Sequence, residues 1–338
     1  MSTHFLLEAP VGLLPVLAFL ATLLHFDSYR LVNLKEIVGC LVAGLALAAA
    51  AYFINGAILQ LLAINVPTYS HTLAPAVEEG LKATAVLYLF LRNRIGFMID
   101  AAILGFAVGT GFSLFENIYY LHAYEGANIG VWIVRGFGTA IMHGGATALF
   151  ALVSQSFIEE KGAPKPVHFL LGLLPAIALH LLFNLIADIP LLPTAVVLFG
   201  LPPLFYLTFS KNEHAVHQWL VDDYKSHAQL LDEINSGAFR HSEAGRFILE
   251  LSRKFSPAMV EDVFTYLKLH TQLVLRAEQL ALARERQEAV EPAPQNAEDL
   301  RVLHELEKRI GASAMMALWP HLHFSRRELW EMHALYGA

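Results

Sequence analysis

Long apolar runs dominate residues 1–210, and short polar stretches separate them. A helix needs about 20 mainly apolar residues to cross the hydrocarbon core of a bilayer. Seven segments approach this length: residues 8–26, 37–63, 72–91, 98–122, 131–154, 167–187 and 190–209. The pattern therefore predicts a polytopic membrane helix bundle of about seven spans.

Residues 211–338 follow a different pattern, in which apolar residues recur at intervals of three and four. This spacing is typical of amphipathic helices. The stretch EAVEPAPQNAED, at 288–299, contains two prolines and predicts a linker. The sequence thus predicts an all-α protein with a transmembrane domain at 1–210 and a helical cytoplasmic domain at 211–338.

Charged residues divide the chain in the same way. Residues 1–210 hold 8 Lys and Arg and 11 Asp and Glu, whereas residues 211–338 hold 15 and 19. The low charge density of the first part indicates that a lipid bilayer surrounds it. The net charge of −7 is mild and gives no reason to expect a nucleic-acid partner.

Lysine and arginine also orient the predicted spans. The first, third and fifth connections contain Lys or Arg, whereas the second, fourth and sixth contain neither. The positive-inside rule assigns connections rich in Lys and Arg to the cytoplasm. We therefore expect the N-terminus outside and the C-terminal domain in the cytoplasm.

Several ionisable side chains lie inside the predicted spans, where a charge costs about 2.5–3.5 kcal/mol on insertion scales. They are Glu78, Glu79 and Lys82 in the third span, Glu116 in the fourth, Arg135 and His143 in the fifth, and His180, followed by Asn184, in the sixth. The carboxylates and imidazoles fall at similar depths in the outer half of the bilayer. Because each is costly alone, we expect them to converge in one cavity that opens towards the outer face.

Part of this set has a structural interpretation. Glu78 and Lys82 are four residues apart on one helical face, where they can form an ion pair. Arg135 lies near a membrane face and can extend its charge into water. We interpret these three residues, together with Phe112, as supporting structure.

The same residues, in the same order, resemble the motifs of the PrsW family of intramembrane proteases, which is related to the CAAX prenyl protease and bacteriocin-processing superfamily. The motif segments read Glu78-Glu79-Gly80-Leu81-Lys82, Phe112-Ser113-Leu114-Phe115-Glu116, His143 and His180-Leu181-Leu182-Phe183-Asn184. The resemblance covers about residues 70–190. It implies a peptidase of the bacterial cytoplasmic (inner) membrane, which hydrolyses a peptide bond of a membrane-anchored protein near the outer face.

The residues are compatible with two mechanisms. In the first, Glu79 is the general base that activates water, and Glu116 and His143 orient that water. His180 and Asn184 then donate hydrogen bonds to the oxyanion. No metal takes part in this version.

In the second mechanism a Zn²⁺ ion is held by Glu79, Glu116, His143 and His180, with a coordination position open for water. The sequence contains no His-Glu-x-x-His motif, so the choice between Zn²⁺ and no cofactor stays open here.

Two other classes of protein also stay open. A proton-coupled transporter uses buried Glu, His and Lys, and a non-catalytic membrane scaffold can carry the same cluster. A transporter would favour a polar path to both faces, whereas the inner halves of these spans hold few ionisable residues. Residues 211–338 have no counterpart in the resemblance, and we expect them to regulate activity or bind a cytoplasmic partner.

Overall fold

The computed structural model describes residues 3–27, 32–124, 127–161, 164–186, 188–251, 257–288, 290, 293–311 and 315. Over these residues the regular structure is entirely helical, which confirms the all-α prediction. The helices are α1 (Thr3–His25), α2 (Leu34–Leu62), α3 (Val66–Thr72), α4 (Ala74–Leu91), α5 (Met98–Ala123), α6 (Ile129–Ile133), α7 (Ala140–Lys161), α8 (Pro166–Leu185), α9 (Leu191–Ser236), α10 (Glu243–Leu251), α11 (Pro257–Glu285) and α12 (Gln295–Ile310).

Two short segments have other helical forms. Val134–Thr139 is a π-helix that joins α6 to α7, and Ala238–His241 is a 3₁₀-helix between α9 and α10. π-Helical turns are rare and are found often at functional sites.

Six described helices are long and apolar enough to cross a membrane: Glu8–His25, Leu34–Leu62, Met98–Ala123, Ile129–Glu159, Pro166–Leu185 and Leu191–Ser210. They correspond to six of the seven predicted spans and confirm a polytopic helical bundle. The remaining predicted span, 72–91, matches α4, whose 18 residues include three charged side chains. The seventh crossing therefore stays a prediction.

Helix α5 is the centre of the membrane bundle, and every residue from Ile99 to Ser113 is buried. Glycines let its neighbours approach closely. A Cβ atom added at Gly111 would collide with the carbonyl of Leu41 in α2, and one added at Gly109 would collide with the carbonyl of His143 in α7. In lipid no hydrophobic effect drives helices together, so such small residues stabilise the bundle by letting the helix backbones pack closely. The packing fixes α7 against α5 at the level of His143.

The described chain separates into two compact units between Asn212 and Glu213. Helix α9 continues through this point as one helix, although the sequence predicted a span ending at 209 and a separate amphipathic helix after it. The apolar and the amphipathic patterns follow each other without a Gly or Pro at the junction, so nothing interrupts the helix. The roles of the two predicted domains, 1–210 and 211–338, stay predictions.

The second unit has its own apolar core, to which Phe239, Ile248, Leu267, Leu303 and Ile310 contribute. The predicted linker at 288–299 is too long at its C-terminal end, because α12 already begins at Gln295. Pro294 precedes that helix, and proline is tolerated at helix starts because the first amides need no partner in the helix. Most of the helical piece predicted at 300–336 lies outside the described residues.

Candidate active site

Helices α4, α5, α7 and α8 bring the predicted polar residues together. The imidazole rings of His143 in α7 and His180 in α8 meet edge to face, with their centroids 4.8 Å apart. Glu79 of α4 contacts His180, and Glu116 of α5 contacts His143. The expected convergence of carboxylates and imidazoles from separate helices is therefore present in the geometry of the bundle.

Glu79 and Lys82 form a completely buried ion pair within this cluster. Lys82 Nζ donates to Glu79 Oε1 over 2.5 Å, and the exposed fractions of the two side chains are 0% and 1%. The same carboxylate oxygen lies 2.8 Å from His180 Nδ1, and Lys82 Nζ lies 3.1 Å from His143 Nδ1. Buried charges need partners. Glu79 and Lys82 supply each other's charge and position the rings of His180 and His143 through these contacts.

Phe112 completes the surroundings of this ion pair. Its ring centroid lies 4.8 Å from Lys82 Nζ and 5.2 Å from the centroid of the His143 ring. An aromatic face attracts a cation at this range. Phe112 was predicted to support the site, and this cation–π contact with Lys82 is how it can do so.

The predicted ion pair between Glu78 and Lys82 is wrong in its acidic partner. A lysine on a helix reaches residues at i−3 as well as i−4, and Lys82 takes Glu79. Glu78 points to the other side, where its Oε1 accepts a hydrogen bond from Asn55 Nδ2 over 3.0 Å. Asn55 is in turn held by Tyr69, whose hydroxyl donates to Asn55 Oδ1 over 2.7 Å.

Glu116 lies at the other edge of the cluster, with 28% of its side chain exposed. Its Oε2 is 2.9 Å from His143 Nε2, and its Oε1 is 3.3 Å from Nη2 of Arg135. Arg135 Nε donates to Asn117 Oδ1 over 2.9 Å, and the guanidinium lies 3.8 Å from the Tyr120 ring centroid. These contacts fix Glu116 beside His143.

Arg135 belongs to the π-helical segment and is mostly buried. The expectation that its charge simply extends into water is therefore wrong, because Glu116, Asn117 and Tyr120 hold it inside the bundle. Its Nη2 is buried and makes no hydrogen bond. Nη2 therefore contacts the Glu116 carboxylate as an ion pair without completing a hydrogen bond.

The hydrogen bonds determine which nitrogen of His180 carries the proton. Nδ1 faces the Glu79 carboxylate, which can only accept, so Nδ1 is the donor. Nε2 of the neutral ring then has a free lone pair, and it lies 3.9 Å from Glu78 Oε2. The predicted oxyanion donation by His180 does not fit this tautomer, whereas a ligand role does.

Asn184 lies one turn beyond His180, and its amide Nδ2 donates to the carbonyl of Ser70 in α3 over 2.9 Å. One of its two amide hydrogens is therefore engaged with α3. This contact fixes the position of α3 next to α8 and leaves less of Asn184 for the predicted oxyanion contact.

Two cavities, of about 660 and 720 Å³, meet at the cluster. The smaller one is lined by Glu78, Glu116, Arg135, His143, His180 and Asn184 among others. The larger one lies towards α2 and shares Ser70, Ala74, Glu78, Glu116 and Tyr120 with the first. Within the described residues, Glu79 and Lys82 line neither cavity. Glu78, and not the predicted Glu79, is therefore the α4 carboxylate that lines the two cavities.

Three side chains of the cluster have the donor set of a metal site. One carboxylate oxygen of Glu78 and one nitrogen from each of His143 and His180 all lie within 4.8 Å of one another. Two imidazoles and one carboxylate form the ligand set of many catalytic zinc sites. This group contains Glu78, whereas the ligand set predicted from the sequence contained Glu79 and Glu116. The distances fit a divalent cation, with Glu79 as the carboxylate behind His180. Lys82 Nζ can only donate to His143 Nδ1, so Nε2 of that ring carries the proton that faces Glu116 and must lose it to bind a cation.

Several residues of the site were not predicted from the sequence. Asn55 is a polar residue in the apolar run of α2, which is a signal that could have identified it. Asn117 was noted as a polar residue beside Glu116 in the fourth predicted span but was given no role, and its Nδ2 donates to the carbonyl of Gly12 in α1 over 2.7 Å. Tyr69 and Ser70 lie in a polar connection and carry no such signal.

The family model of the PrsW family intramembrane metalloproteases matches residues 33–208, slightly more than half of the chain. The match includes α2 to α8 and every residue of the cluster. No curated protein and no solved structure matched the chain. On the family match, the chain belongs to the PrsW family of intramembrane metalloproteases.

Proposed function

We propose that this membrane peptidase cleaves a membrane-anchored protein beside Glu78 and Glu116, which line both cavities, and that Glu78, His143 and His180 hold a catalytic Zn²⁺ ion there. The observation that carries this proposal is the distance of 4.8 Å or less between one ligand atom of each residue. The donors come from three different helices and face a cavity large enough for a peptide segment.

When bound there, Zn²⁺ would supply a Lewis acid for the scissile carbonyl and for water. The chain's own residues prepare the ligands. Glu79 accepts the Nδ1 proton of His180 and leaves Nε2 free to bind. Lys82 holds Glu79 in this position, so both residues act by positioning and do not touch the substrate.

Glu116 replaces Glu79 as the proposed general base. It faces the cavity beside the proposed ligands, and it is the more exposed of the two carboxylates. Glu116 takes a proton from the attacking water, whose oxygen bonds to the carbonyl carbon, and gives that proton to the amine as the carbon–nitrogen bond breaks. Arg135 Nη2, which lies 3.3 Å from Glu116 Oε1 and completes no hydrogen bond, suits stabilisation of the oxyanion.

The substrate reaches Glu116 from both cavities, which share Glu78 and Glu116. We therefore assign one cavity to each side of the scissile bond. The larger cavity carries Phe53, Leu59 and Phe115 and suits apolar residues of a membrane segment. The smaller one carries Arg135 and Asn128 and suits the polar residues that follow such a segment.

We place this site in the outer half of the bilayer. Glu116 lies seven residues before the end of α5 at Ala123, and the Lys and Arg alternation assigns that end to the outer face.

Reporter fusions at Tyr124 and Lys211 are expected to report opposite sides of the membrane, with the second in the cytoplasm. Reports from the same side would contradict both the orientation and the depth of the site.

Metal removal tests the proposed mechanism. The purified full-length protein, in detergent, is expected to cleave a single-span candidate substrate. Dialysis against a chelator should lower the rate by about a hundredfold or more, since metal ligation involves three of the cavity residues. One equivalent of Zn²⁺ should restore the rate, and His180→Ala should remove both activity and restoration.

The controls separate the rival functions. Full cleavage by protein with less than about one tenth of an equivalent of metal would contradict the proposed zinc mechanism and favour water activated by glutamate alone. No cleavage of any single-span protein by the folded, metal-loaded chain would instead favour a transporter or a scaffold.

A further inference from the structure

A second group of metal-binding side chains lies in the C-terminal unit, outside the matched family region. Asp223 and His227 of α9 and Glu278 of α11 each offer one ligand atom, and these atoms lie within 4.8 Å of one another. We propose that the protein binds a second divalent transition-metal ion at Asp223, His227 and Glu278, where it joins α9 to α11.

The two helices present these residues at matching positions. Asp223 and His227 are four residues apart and therefore share one face of α9. Glu278 reaches that face from α11, and its Oε1 lies 2.7 Å from His227 Nδ1. The three groups thus already form a compact set on two helices that lie side by side.

Glu278 gives an independent observation in favour of a bound ligand. Its side chain is completely buried, and its second oxygen, Oε2, has no hydrogen-bond partner. A buried carboxylate oxygen without a partner is costly. A cation bound at these side chains would give Glu278 Oε2 the partner that it lacks.

His217 of α9 and Glu285 of α11 form a second histidine–glutamate pair, which can be compared with His227 and Glu278. His217 Nδ1 lies 2.9 and 3.0 Å from the two oxygens of Glu285. Both carboxylate oxygens are used, and the His217 side chain is 49% exposed. Glu285 is neither completely buried nor left with an oxygen that lacks a partner. The His217–Glu285 pair is therefore a matched control for the proposed metal site.

The donor set indicates the class of ion. One imidazole with two carboxylates suits Zn²⁺, Mn²⁺ or Fe²⁺, whereas Mg²⁺ and Ca²⁺ prefer oxygen ligands alone. Such an ion would tie the end of α9 to α11 and make the folding of this unit depend on metal.

The test uses the full chain with the membrane site disabled by His143→Ala and His180→Ala. After removal of metal with a chelator, Co²⁺ is titrated as the spectroscopic probe, and bound Zn²⁺ is measured by elemental analysis in a parallel sample. We expect one equivalent of either ion, visible d–d absorption for Co²⁺, and a thermal transition that rises with Zn²⁺ concentration.

Variants locate the binding. Asp223→Asn and Glu278→Gln should each weaken Co²⁺ binding at least tenfold and remove the Zn²⁺-dependent thermal shift, whereas His217→Gln should change neither. Asp223→Asn keeps the test decisive if Glu278→Gln fails to fold. The proposal is overturned if the folded parent chain binds no Co²⁺, or if binding survives unchanged in Asp223→Asn.

Discussion

Replacement Glu78→Gln is expected to lower peptide-bond cleavage by more than about a hundredfold and to leave the membrane bundle folded. Loss of a partner behind a metal ligand already costs 10- to 100-fold, so loss of a proposed ligand should cost more. Asn55 Nδ2 can still donate to the glutamine oxygen, and Glu78 lines a cavity. The measurement pairs the cleavage rate with bound Zn²⁺ and the thermal transition in detergent.

The matched control is Glu36→Gln. Glu36 is also a carboxylate of the membrane unit, paired with Arg94 over 2.8 Å, and it lies outside the cluster. This variant should cleave at the rate of the wild type. An active Glu78→Gln together with a stable, inactive Glu79→Gln would restore the sequence-based assignment of Glu79 as the base.

Glu79→Gln is expected to destabilise the membrane unit by about 3–5 kcal/mol, because it leaves the Lys82 ammonium buried without a carboxylate. The amide also accepts the His180 proton less strongly, so activity should fall by about 10- to 100-fold in the protein that remains folded. Thermal unfolding and cleavage are measured on the same samples.

A second substitution separates the two effects. Glu79→Gln with Lys82→Met removes both charges, and replacement of a whole buried ion pair by apolar groups is often neutral or stabilising. The double variant should regain most of the lost stability and stay poorly active. If Glu79→Gln alone unfolds at the temperature of the wild type, the ion pair does not have the structural role described here.

The fold was largely predictable because apolar runs of span length have few alternatives to a membrane helix. The family match confirms the predicted resemblance and the predicted peptidase. The four helices that carry the cluster were also identified, since a charged or polar residue in an apolar run needs a partner. Their mutual geometry could be anticipated only as a convergence.

The partners of Glu78 and Glu79 could not be predicted from the sequence. The two residues are adjacent, and Lys82 can pair with either one on a helix. The choice depends on Asn55 and Tyr69, which hold Glu78 from elements that the sequence does not place next to α4. An inference from spacing alone therefore paired Lys82 with Glu78, whereas the structure pairs it with Glu79.

The second metal-binding group has no sequence signature either. Glu278 follows His227 by 51 positions, and both residues lie in amphipathic helices where charges normally face water. Only the burial of Glu278 and its unused oxygen distinguish the group.

The short helix α3 has a consequence for kinetics. It borders both cavities through Ser70, and three features hold it: the Asn184 hydrogen bond, the Tyr69–Asn55 hydrogen bond and the buried Tyr69 ring. Two hydrogen bonds and one buried ring together contribute roughly 3–6 kcal/mol. An opening of that cost is populated in about one molecule in a hundred to one in ten thousand. A substrate that must displace α3 would then be cleaved at a rate set by this opening, and substrates would be distinguished by how well they stabilise the open form.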